Sequence, residues 1–372
     1  MTLSSASDSK DLVHSVPMGQ DSKPGTKADL CIVMYGGGVT SYEASRRAIE
    51  RFGRENTEIW FADTLTEDRD LYRFNRDVEK LLEIEITRFD QGKDIWQVFF
   101  EQKALGNSRM DPCSKFLKRK PLREELNNRF CDWRCVVCDT HLTVKPLDIR
   151  VVSNTGKWDH LAGCQNCSDT DPVYSALLDD YETLTKSHVL DSDEARLLFS
   201  RIDERLEPAD KEGRTVRVVL GMDKIDDCRR SIRAELSFLP FRVWFPLDDP
   251  EWEVAFKERI MEDLRSQGIR PPRLYELGFK HNNCGGFCVK AGLGQIAHYY
   301  NIKPEEYVEH ERKEKEFRDF IGKDVSIFSK TVDGKKTPMT MRALRKRIEA
   351  GEEFKFEPSL ECQCFSPIEA AQ

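Results

Sequence analysis

Two pairs of closely spaced cysteines carry the clearest chemical signal in the sequence. Cys135 and Cys138 form one C-x2-C pair, and Cys164 and Cys167 form a second. Each pair can present two thiolates to one tetrahedral ion, so the two pairs together complete a closed shell of four sulfurs. The spacing predicts a zinc ribbon whose metal is structural, because no coordination position stays open for a substrate. Iron in the same site, or plain thiols, are the alternatives.

A second cysteine pair has a different setting. Cys284 and Cys288 flank the sequence Gly-Gly-Phe and precede a predicted helix. The N-terminus of a helix lowers the pKa of a nearby thiol, which makes both residues candidates for a reactive or ligating role. The alternative is that the glycines shape a tight turn around two buried thiols.

A run of glycines indicates a binding site for an anion. Three glycines in succession let backbone amides approach an anion, because no Cβ stands in the way. The following helix would add the amide donors of its first turn and the positive end of its dipole. The predicted phosphate-binding residues are Gly36, Gly37, Gly38, Val39, Thr40 and Ser41. A simple tight turn is the alternative, since the loop lacks both the lysine of a Walker A motif and the spacing of a dinucleotide fingerprint.

The elements around this loop alternate between strands and helices. Short apolar runs predict buried parallel strands, and apolar residues at helical spacing predict helices at 42–52 and 67–82. The predicted strands are 30–35, 58–62, 84–89 and 215–220. This alternation predicts an α/β fold with an open parallel sheet and flanking helices.

The chain divides into four predicted parts. Residues 1–28 have few large apolar side chains and are expected to form a disordered tail. The α/β domain that contains the glycine loop is expected to comprise residues 29–130 and 214–300. The segment 131–213 is expected to be the inserted zinc ribbon, and 301–372 a helical C-terminal region and tail.

Composition excludes several classes of protein. The 372 residues include 58 basic and 66 acidic side chains, and a net charge of −8 argues against a general binder of polyanions. We find no apolar run long enough to span a membrane and no signal sequence, so we expect a cytoplasmic protein without a membrane partner. Because cytosolic thiols stay reduced, the twelve cysteines favour metal binding or catalysis over disulfides.

Three further motifs accompany the glycine loop. Asp63 and Thr64 follow the second predicted strand, the segment 111–122 reads DPCSKFLKRKPL, and the segment 220–230 reads LGMDKIDDCRR. With the loop, they resemble the S-G-G-x-x-S, D-T, P-C-C…K-x-x-P-L and G-x-R…E-S-x-x-R motifs of the phosphoadenosine-phosphosulfate (PAPS) reductase-like branch of the PP-loop ATP pyrophosphatases. This branch belongs to the adenine nucleotide alpha hydrolase superfamily. Gly36 stands in place of the family's first serine and Ser114 in place of its second cysteine, and the last motif is degraded.

The resemblance implies a site for ATP with Mg²⁺, or for another adenine nucleotide, at the carboxyl ends of the strands. The glycine loop would hold the phosphates, and Asp63 would border the nucleoside. Lys118, Lys224, Arg229 and Arg230 would stabilise charge on a leaving pyrophosphate or sulfate. For each of these cations, an ordinary salt bridge at the surface is the alternative.

The resemblance also implies that Cys113 lies with Cys284 and Cys288 near the nucleotide. Three thiolates are enough to hold a [4Fe-4S] cluster with one open iron, as in cluster-dependent nucleic-acid sulfurtransferases of related type. A tail cysteine, Cys362, weakly resembles the nucleophile of the assimilatory reductases, but the glycine, leucine and histidine of that motif are missing.

The leading expectation for the function is an enzyme that binds ATP and adenylates a substrate for displacement by sulfur or nitrogen, with AMP and pyrophosphate as products. The candidate partners are a nucleic acid (tRNA or DNA), a sulfur-donor protein and a second copy of the chain. Two alternatives are a thiol-dependent sulfonucleotide reductase, with Cys362 or Cys288 as nucleophile, and a non-catalytic adaptor that binds a nucleotide together with a nucleic acid or protein.

Overall fold

A computed structural model of the chain describes residues 29–130, 212–222, 241–332 and 335–355, together with Ala234 and Phe238. Several predictions lie outside these residues. They concern the tail, Lys224, Arg229 and Arg230, Cys362, and the zinc ribbon with Cys135, Cys138, Cys164 and Cys167.

The centre of the described fold is a sheet of five parallel strands in the order β3-β2-β1-β4-β5. The strands are β1 (Leu30–Tyr35), β2 (Thr57–Asp63), β3 (Ile86–Asp90), β4 (Val216–Leu220) and β5 (Arg242–Trp244). In the register of the sheet, Val33 of β1 lies opposite Ile59 on one side and Val219 on the other. All six residues of β1 are buried, as its uninterrupted apolar run indicates. The predicted α/β class with a parallel sheet is confirmed.

Helices cover both faces of this sheet. On one face, α1 (Val39–Phe52) and α2 (Arg69–Leu82) pack their apolar side chains against alternate residues of β1 and β2. On the other face, α5 (Lys120–Phe130) contributes Leu122, Leu126 and Phe130 to a cluster with the remaining strand residues. The chain leads into α5 through a short helix α4 (Pro112–Ser114) and a π-helical turn over Lys115–Arg119. Both faces of the central strand are thereby buried.

The observed element ends differ from the predicted ones by one to three residues, and α1 begins at Val39 rather than at residue 42. Two of the other differences have a local cause. The predicted helix at 67–82 begins at Arg69 because the Asp68 carboxylate accepts a hydrogen bond from the Asp70 amide and caps the helix. The third strand begins at Ile86 rather than at residue 84 because Glu83 adopts a left-handed conformation (φ 52°) and turns the chain after α2.

Most of the chain after β5 packs in a second apolar cluster around α3 (Ile95–Gln102). The elements of this part of the chain are α6 (Lys257–Ser266), α7 (Arg273–Glu276), α8 (Leu293–Ile302), α9 (Pro304–Ile321), the hairpin strands β6 (Phe328–Val332) and β7 (Lys335–Met339), and α10 (Met341–Glu349). Of these, α6 packs on the sheet, whereas the elements from α8 onward share their core with α3. The described part of 301–355 contains α9 and α10 and also the antiparallel hairpin of β6 and β7, which was not predicted.

A buried carboxylate ties α9 to both ends of this hairpin. Glu314 is 1% exposed, and its oxygens accept hydrogen bonds from the backbone amides of Ile327 (3.1 Å) and Met341 (2.6 Å). Burial raises the pKa of Glu314 to about 6, although the two amides act in the opposite direction. The folded chain therefore holds a proton on this carboxyl at a pH where the unfolded chain has lost it.

This shift predicts a pH dependence of stability. A raised pKa in the folded state contributes stability that is present below the unfolded pKa and is lost as the pH rises through about 6. We expect Glu314→Gln to remove about 2 kcal/mol of the variation in the free energy of unfolding between roughly pH 4 and pH 7.5. Urea denaturation at several pH values measures this, with Glu305→Gln, an exposed carboxylate on the same helix, as the control. Parallel pH profiles for Glu314→Gln and the unaltered chain would contradict the assignment.

Candidate functional site

The glycine loop lies at the carboxyl end of β1, where the order of the strands reverses between β1 and β4. In open α/β sheets, ligands bind in the crevice at such a switch point. Gly37 has φ +76°, and a Cβ added to it would lie 2.5 Å from Leu71 Cδ1. Both the backbone conformation and the packing of α2 therefore require glycine at this position. The glycine loop thus lies at the switch point of the sheet, with a left-handed glycine at its centre.

The amides at the start of α1 have unequal roles. Gly38 N–H donates to the Ser41 hydroxyl (3.2 Å), and Val39 N–H donates to the Tyr275 hydroxyl (3.4 Å). The Ser41 hydroxyl also donates to Gly38 O (2.8 Å), so it helps to form the helix start itself. The amides of Thr40 and Ser41 lie in the first turn, where an α-helix offers no internal acceptor. These donors, with the Thr40 hydroxyl, are the groups that an anion could engage.

The end of β4 approaches the same turn. A Cβ on Gly221, which follows β4, would lie 2.7 Å from both Ser41 Cα and Thr40 O. Backbone atoms cannot move aside as a flexible side chain can, so this close approach requires glycine. The contact defines one wall of the crevice.

Asp63 lies at the end of β2, the strand next to β1, and its side chain is fully buried. Its carboxylate accepts hydrogen bonds from the Tyr72 hydroxyl (2.9 Å) and the Leu65 amide (2.8 Å) and pairs with Arg88 (2.9 Å). The structure therefore places Asp63 at the same sheet edge as the glycine loop, with both carboxylate oxygens engaged by the protein. In this conformation Asp63 shapes the end of the strand.

The loop after β2 contains a buried carboxylate that the sequence analysis missed. Glu67 accepts a hydrogen bond from the Cys284 amide (2.5 Å) and another from the Thr64 hydroxyl (2.9 Å). The Lys118 ammonium lies 3.6 Å from Glu67 Oε1, the oxygen that accepts from Thr64, and both side chains are almost completely buried. Burial raises the pKa of Glu67, with Lys118 acting in the opposite direction. Glu67 thereby connects Lys118 of the π-helical turn to the segment that carries Cys284.

Asp68 binds the same loop to the part of the chain between Arg273 and Lys303, which we call the distal segment. Its carboxylate accepts hydrogen bonds from the Arg273 guanidinium (2.7 and 2.9 Å) and the Lys303 ammonium (2.8 Å). Burial acts to raise the pKa of Asp68, but these two cations outweigh it and keep the pKa below the ordinary value. Lys303 also donates to Gly285 O (3.1 Å) and thus holds the cysteine-containing loop directly.

The segment around Cys284 has an unusual backbone. Cys284, Gly285 and Gly286 have φ values of 51°, 60° and 94°, three successive residues in the left-handed region. A Cβ on Gly285 would lie 2.7 Å from Thr66 O, so the backbones of the two loops are in close contact. The glycines of this motif permit that contact, and Cys284 accepts a conformation that few non-glycine residues adopt.

Three cysteines line one cavity beside these loops. Cys113, Cys284 and Cys288 are half-buried and contribute to the wall of a cavity with about 390 Å³ of empty space, counting the part open to solvent. The other lining residues are Thr64, Ile95, Asp111, Ser114, Lys118, Phe287, Val289 and Lys290. The structure therefore brings together the cysteines that the resemblance implies should converge.

Charged residues hold the cavity walls in place. Asp111 pairs with Arg119 (2.9 Å) and with Lys290 (2.8 Å), which joins the segment of Cys113 to the segment after Cys288. Burial acts to raise the pKa of Asp111, but Arg119 and Lys290 outweigh this effect and hold the pKa below its ordinary value. Within the residues that the structure describes, no group of three or more His, Cys, Asp or Glu side chains is arranged to hold a single metal ion. The thiols thus share a cavity without forming a mononuclear site.

Two more residues at the glycine loop come from the distal part of the chain. Asn282 Nδ2 donates to Gly37 O (2.9 Å), and the Tyr275 hydroxyl lies over the start of α1. Asn282 belongs to the segment 281–288 (HNNCGGFC), which the sequence analysis selected for its cysteines alone. The polar residues beside those cysteines were the available signal. Tyr275 gives no comparable signal in its local sequence.

No protein-family model, curated protein or solved structure matches the chain. Among the helices in the described ranges, none has both the length and the apolar character needed to cross a membrane.

The contact between the two loops predicts a strong effect at Gly285. Gly285→Ala would place a methyl group against Thr66 O, whereas Gly92→Ala has a similar φ (+63°) and no atom within 4 Å. Both variants carry the cost of a left-handed alanine, but only Gly285→Ala must also displace backbone, which we expect to cost about 1–3 kcal/mol more. Chemical denaturation of both variants measures the difference. Equal destabilisation would contradict the close approach.

Proposed function

We propose that the chain is a PP-loop enzyme of the PAPS reductase-like branch, with an adenine nucleotide alpha hydrolase-like fold, which binds ATP and adenylates a substrate for sulfur or nitrogen transfer. The proposal rests on where the glycine loop and the thiol cavity lie in the fold. A glycine loop and the first turn of α1 lie at the switch point of a parallel sheet, and a cavity with three thiols adjoins the neighbouring strand end through Glu67. A site for phosphate and a site for sulfur chemistry are thus physically linked.

The nucleotide would use the residues of the loop in a defined way. The amides at the start of α1 and the Thr40 hydroxyl would donate hydrogen bonds to phosphate oxygens, and the helix dipole would favour their negative charge. Mg²⁺ would enter on the phosphates of the nucleotide, because such ions are bound largely by substrate phosphates and water. An acceptor oxygen would attack the α-phosphorus and pyrophosphate would leave, so that AMP is transferred to the acceptor. The protein contributes mainly position and charge stabilisation to such a step.

Lys118 is the candidate for charge stabilisation in the described residues. Its ammonium is buried in the cavity wall and is held by Glu67, which distinguishes it from a solvated surface lysine. A fixed and desolvated cation acts more strongly on developing negative charge than a mobile one at the surface. Arg229 and Arg230 remain sequence-based candidates for the same role.

The three thiols of the cavity suit a soft ligand. Cys113, Cys284 and Cys288 are of the type and number that could hold three irons of a [4Fe-4S] cluster, in agreement with the ligands that such clusters use. When bound, the cluster would supply one open iron for a sulfur ligand. The nucleic-acid acceptor, the sulfur-donor protein and the zinc ribbon belong to the same proposal.

The cavity thiols also favour the second candidate, thiol-dependent reduction of a sulfonucleotide. Cys288 is half-buried in the cavity wall and could attack the sulfur of such a substrate. The two candidates differ in their products. The first forms AMP and pyrophosphate from ATP, and the second releases a nucleotide from PAPS or adenylyl sulfate and leaves a thiosulfonate on the enzyme.

Binding of ATP is the first test of the proposal. We expect anaerobically purified full-length chain to bind Mg²⁺-ATP in calorimetry, and Thr40→Val to weaken binding by roughly tenfold, since a hydrogen bond to a charged group is lost. The matched control is Thr87→Val, which removes an exposed hydroxyl from β3 and should leave the affinity unchanged. Absence of a binding signal with ATP, PAPS and adenylyl sulfate would contradict both enzymatic candidates.

A further inference from the structure

The apolar part of the thiol cavity comes from two separate elements. Ile95, at the start of α3, and Phe287 and Val289, in the cysteine-containing loop, line the cavity together with the thiols. Phe287 lies between Cys284 and Cys288, and its amide donates to Cys284 O (2.9 Å). Its ring is buried, with 1% of the residue exposed. The orientation of this ring is therefore coupled to the backbone that carries both cysteines.

One histidine on α9 contacts both of these elements. The His310 ring stacks on the Phe287 ring, with centroids 3.8 Å apart and planes inclined by 11°. Its Nδ1 accepts a hydrogen bond from Trp96 Nε1 (2.8 Å), and Trp96 follows Ile95 on α3. His310 thus joins the helix that supplies one part of the cavity wall to the loop that supplies another.

The hydrogen bond from Trp96 defines the state of the His310 ring. An indole N–H only donates, and both nitrogens of a protonated imidazole donate as well, so Nδ1 can accept only in the neutral ring. Burial favours the same form and lowers the pKa of His310 to about 4, with Glu309 acting to raise it and Lys303 acting to lower it. At neutral pH an uncharged ring therefore lies against Phe287, and no charge has to be solvated in the apolar cluster.

The two contacts restrict the cavity wall in different ways. The stack limits how the Phe287 ring can turn, and the hydrogen bond holds α9 to α3 through the buried indole of Trp96. Cys113 packs against the same apolar cluster, so all three thiols adjoin side chains that His310 helps to hold. Groups that act on one ligand need fixed separations, which neighbouring side chains provide when packing and hydrogen bonds hold them in one orientation.

We propose that His310 is a positioning residue of the thiol cavity, which holds the loop of Cys284 and Cys288 against α3 through its stack on Phe287 and its hydrogen bond from Trp96. This inference rests on the proposed function, because it assumes that the thiols act together on one substrate or cluster. It adds that α9 takes part in the thiol chemistry by fixing the geometry of the cavity wall.

The test measures how fast iodoacetamide alkylates each cysteine of the full-length chain, resolved by mass spectrometry. His310→Gln keeps an acceptor for Trp96 but loses the stack, and His310→Phe keeps the stack but loses the acceptor. We expect each variant to raise the alkylation rate of the half-buried Cys288 roughly tenfold, because labelling follows the population in which the loop has opened locally. Cys31, a fully buried residue of β1, is the internal reference and should keep its rate.

A matched control and a urea series separate positioning from a general loss of stability. His298→Gln removes a histidine of α8 that packs against Phe279 in the same apolar cluster (centroids 4.8 Å apart), and it should leave the Cys288 rate unchanged. A local opening exposes little surface, so the faster labelling of the His310 variants should not depend on urea below the unfolding transition.

The possible results distinguish this inference from the proposed function. Unchanged Cys288 rates in both His310 variants would overturn the inference and leave the proposed function intact, since labelling needs no nucleotide. An equal rise at Cys31, or the same rise in His298→Gln, would also overturn it, because the effect would then be a general loss of packing. If ATP, PAPS and adenylyl sulfate all fail to bind the unaltered chain, the proposed function fails, while the labelling rates still decide whether His310 positions the loop.

Discussion

The site depends on two neighbouring carboxylates that are buried in the loop after β2. Glu67 holds the Cys284 amide and Lys118, and Asp68 holds Arg273 and Lys303. Burying a carboxylate is unfavourable unless hydrogen bonds or cations compensate it, so each acid requires its distal partners to be in place. The same contacts bring the segment 270–303 against the edge of the sheet. Together with the hydrogen bond from Asn282 to Gly37 O, they hold the glycine loop and the cysteine-containing loop in one frame.

A single chemical environment results from this arrangement. The sheet supplies the glycine loop, α4 and the π-helical turn supply Cys113 and Lys118, and the distal segment supplies Cys284 and Cys288. A π-helical turn inside a helix changes the direction of the following side chains and is frequent at functional sites. Here that turn carries Lys118 inward to Glu67, between the cavity and the strand ends. The thiol cavity and the end of β2 therefore share a pair of buried charged residues.

The sequence predicts those parts of the site that are local. The apolar run of β1, the glycines and the helical periodicity of α1 lie within 23 residues of one another, between positions 30 and 52, and their physical meaning can be read directly. The convergence of Cys113 with Cys284 and Cys288 came only from the family resemblance, since no local pattern links segments so distant. Element ends were missed by one or two residues where a cap such as Asp68 decided them.

The remaining parts depend on contacts between distant segments. Glu67 and Cys284 are 217 residues apart, and Asn282 and Gly37 are 245 residues apart. A lone glutamate in a polar loop is usually a solvated residue, so its burial cannot be inferred from its neighbours in sequence. Likewise, the hairpin of β6 and β7 forms because both strands pack near α9, and its composition alone did not separate it from a helical region. Tertiary packing decided these features.

The central claim is that the glycine loop and the thiol cavity behave as one site. The most direct measurement is the rate at which a thiol reagent alkylates Cys113, Cys284 and Cys288, followed by mass spectrometry with and without saturating Mg²⁺-ATP. We expect the nucleotide to slow alkylation at Cys284 most, because its segment is joined to the glycine loop through Asn282 and to the strand end through Glu67. Unchanged rates at all three cysteines under conditions where ATP is shown to bind would contradict the claim.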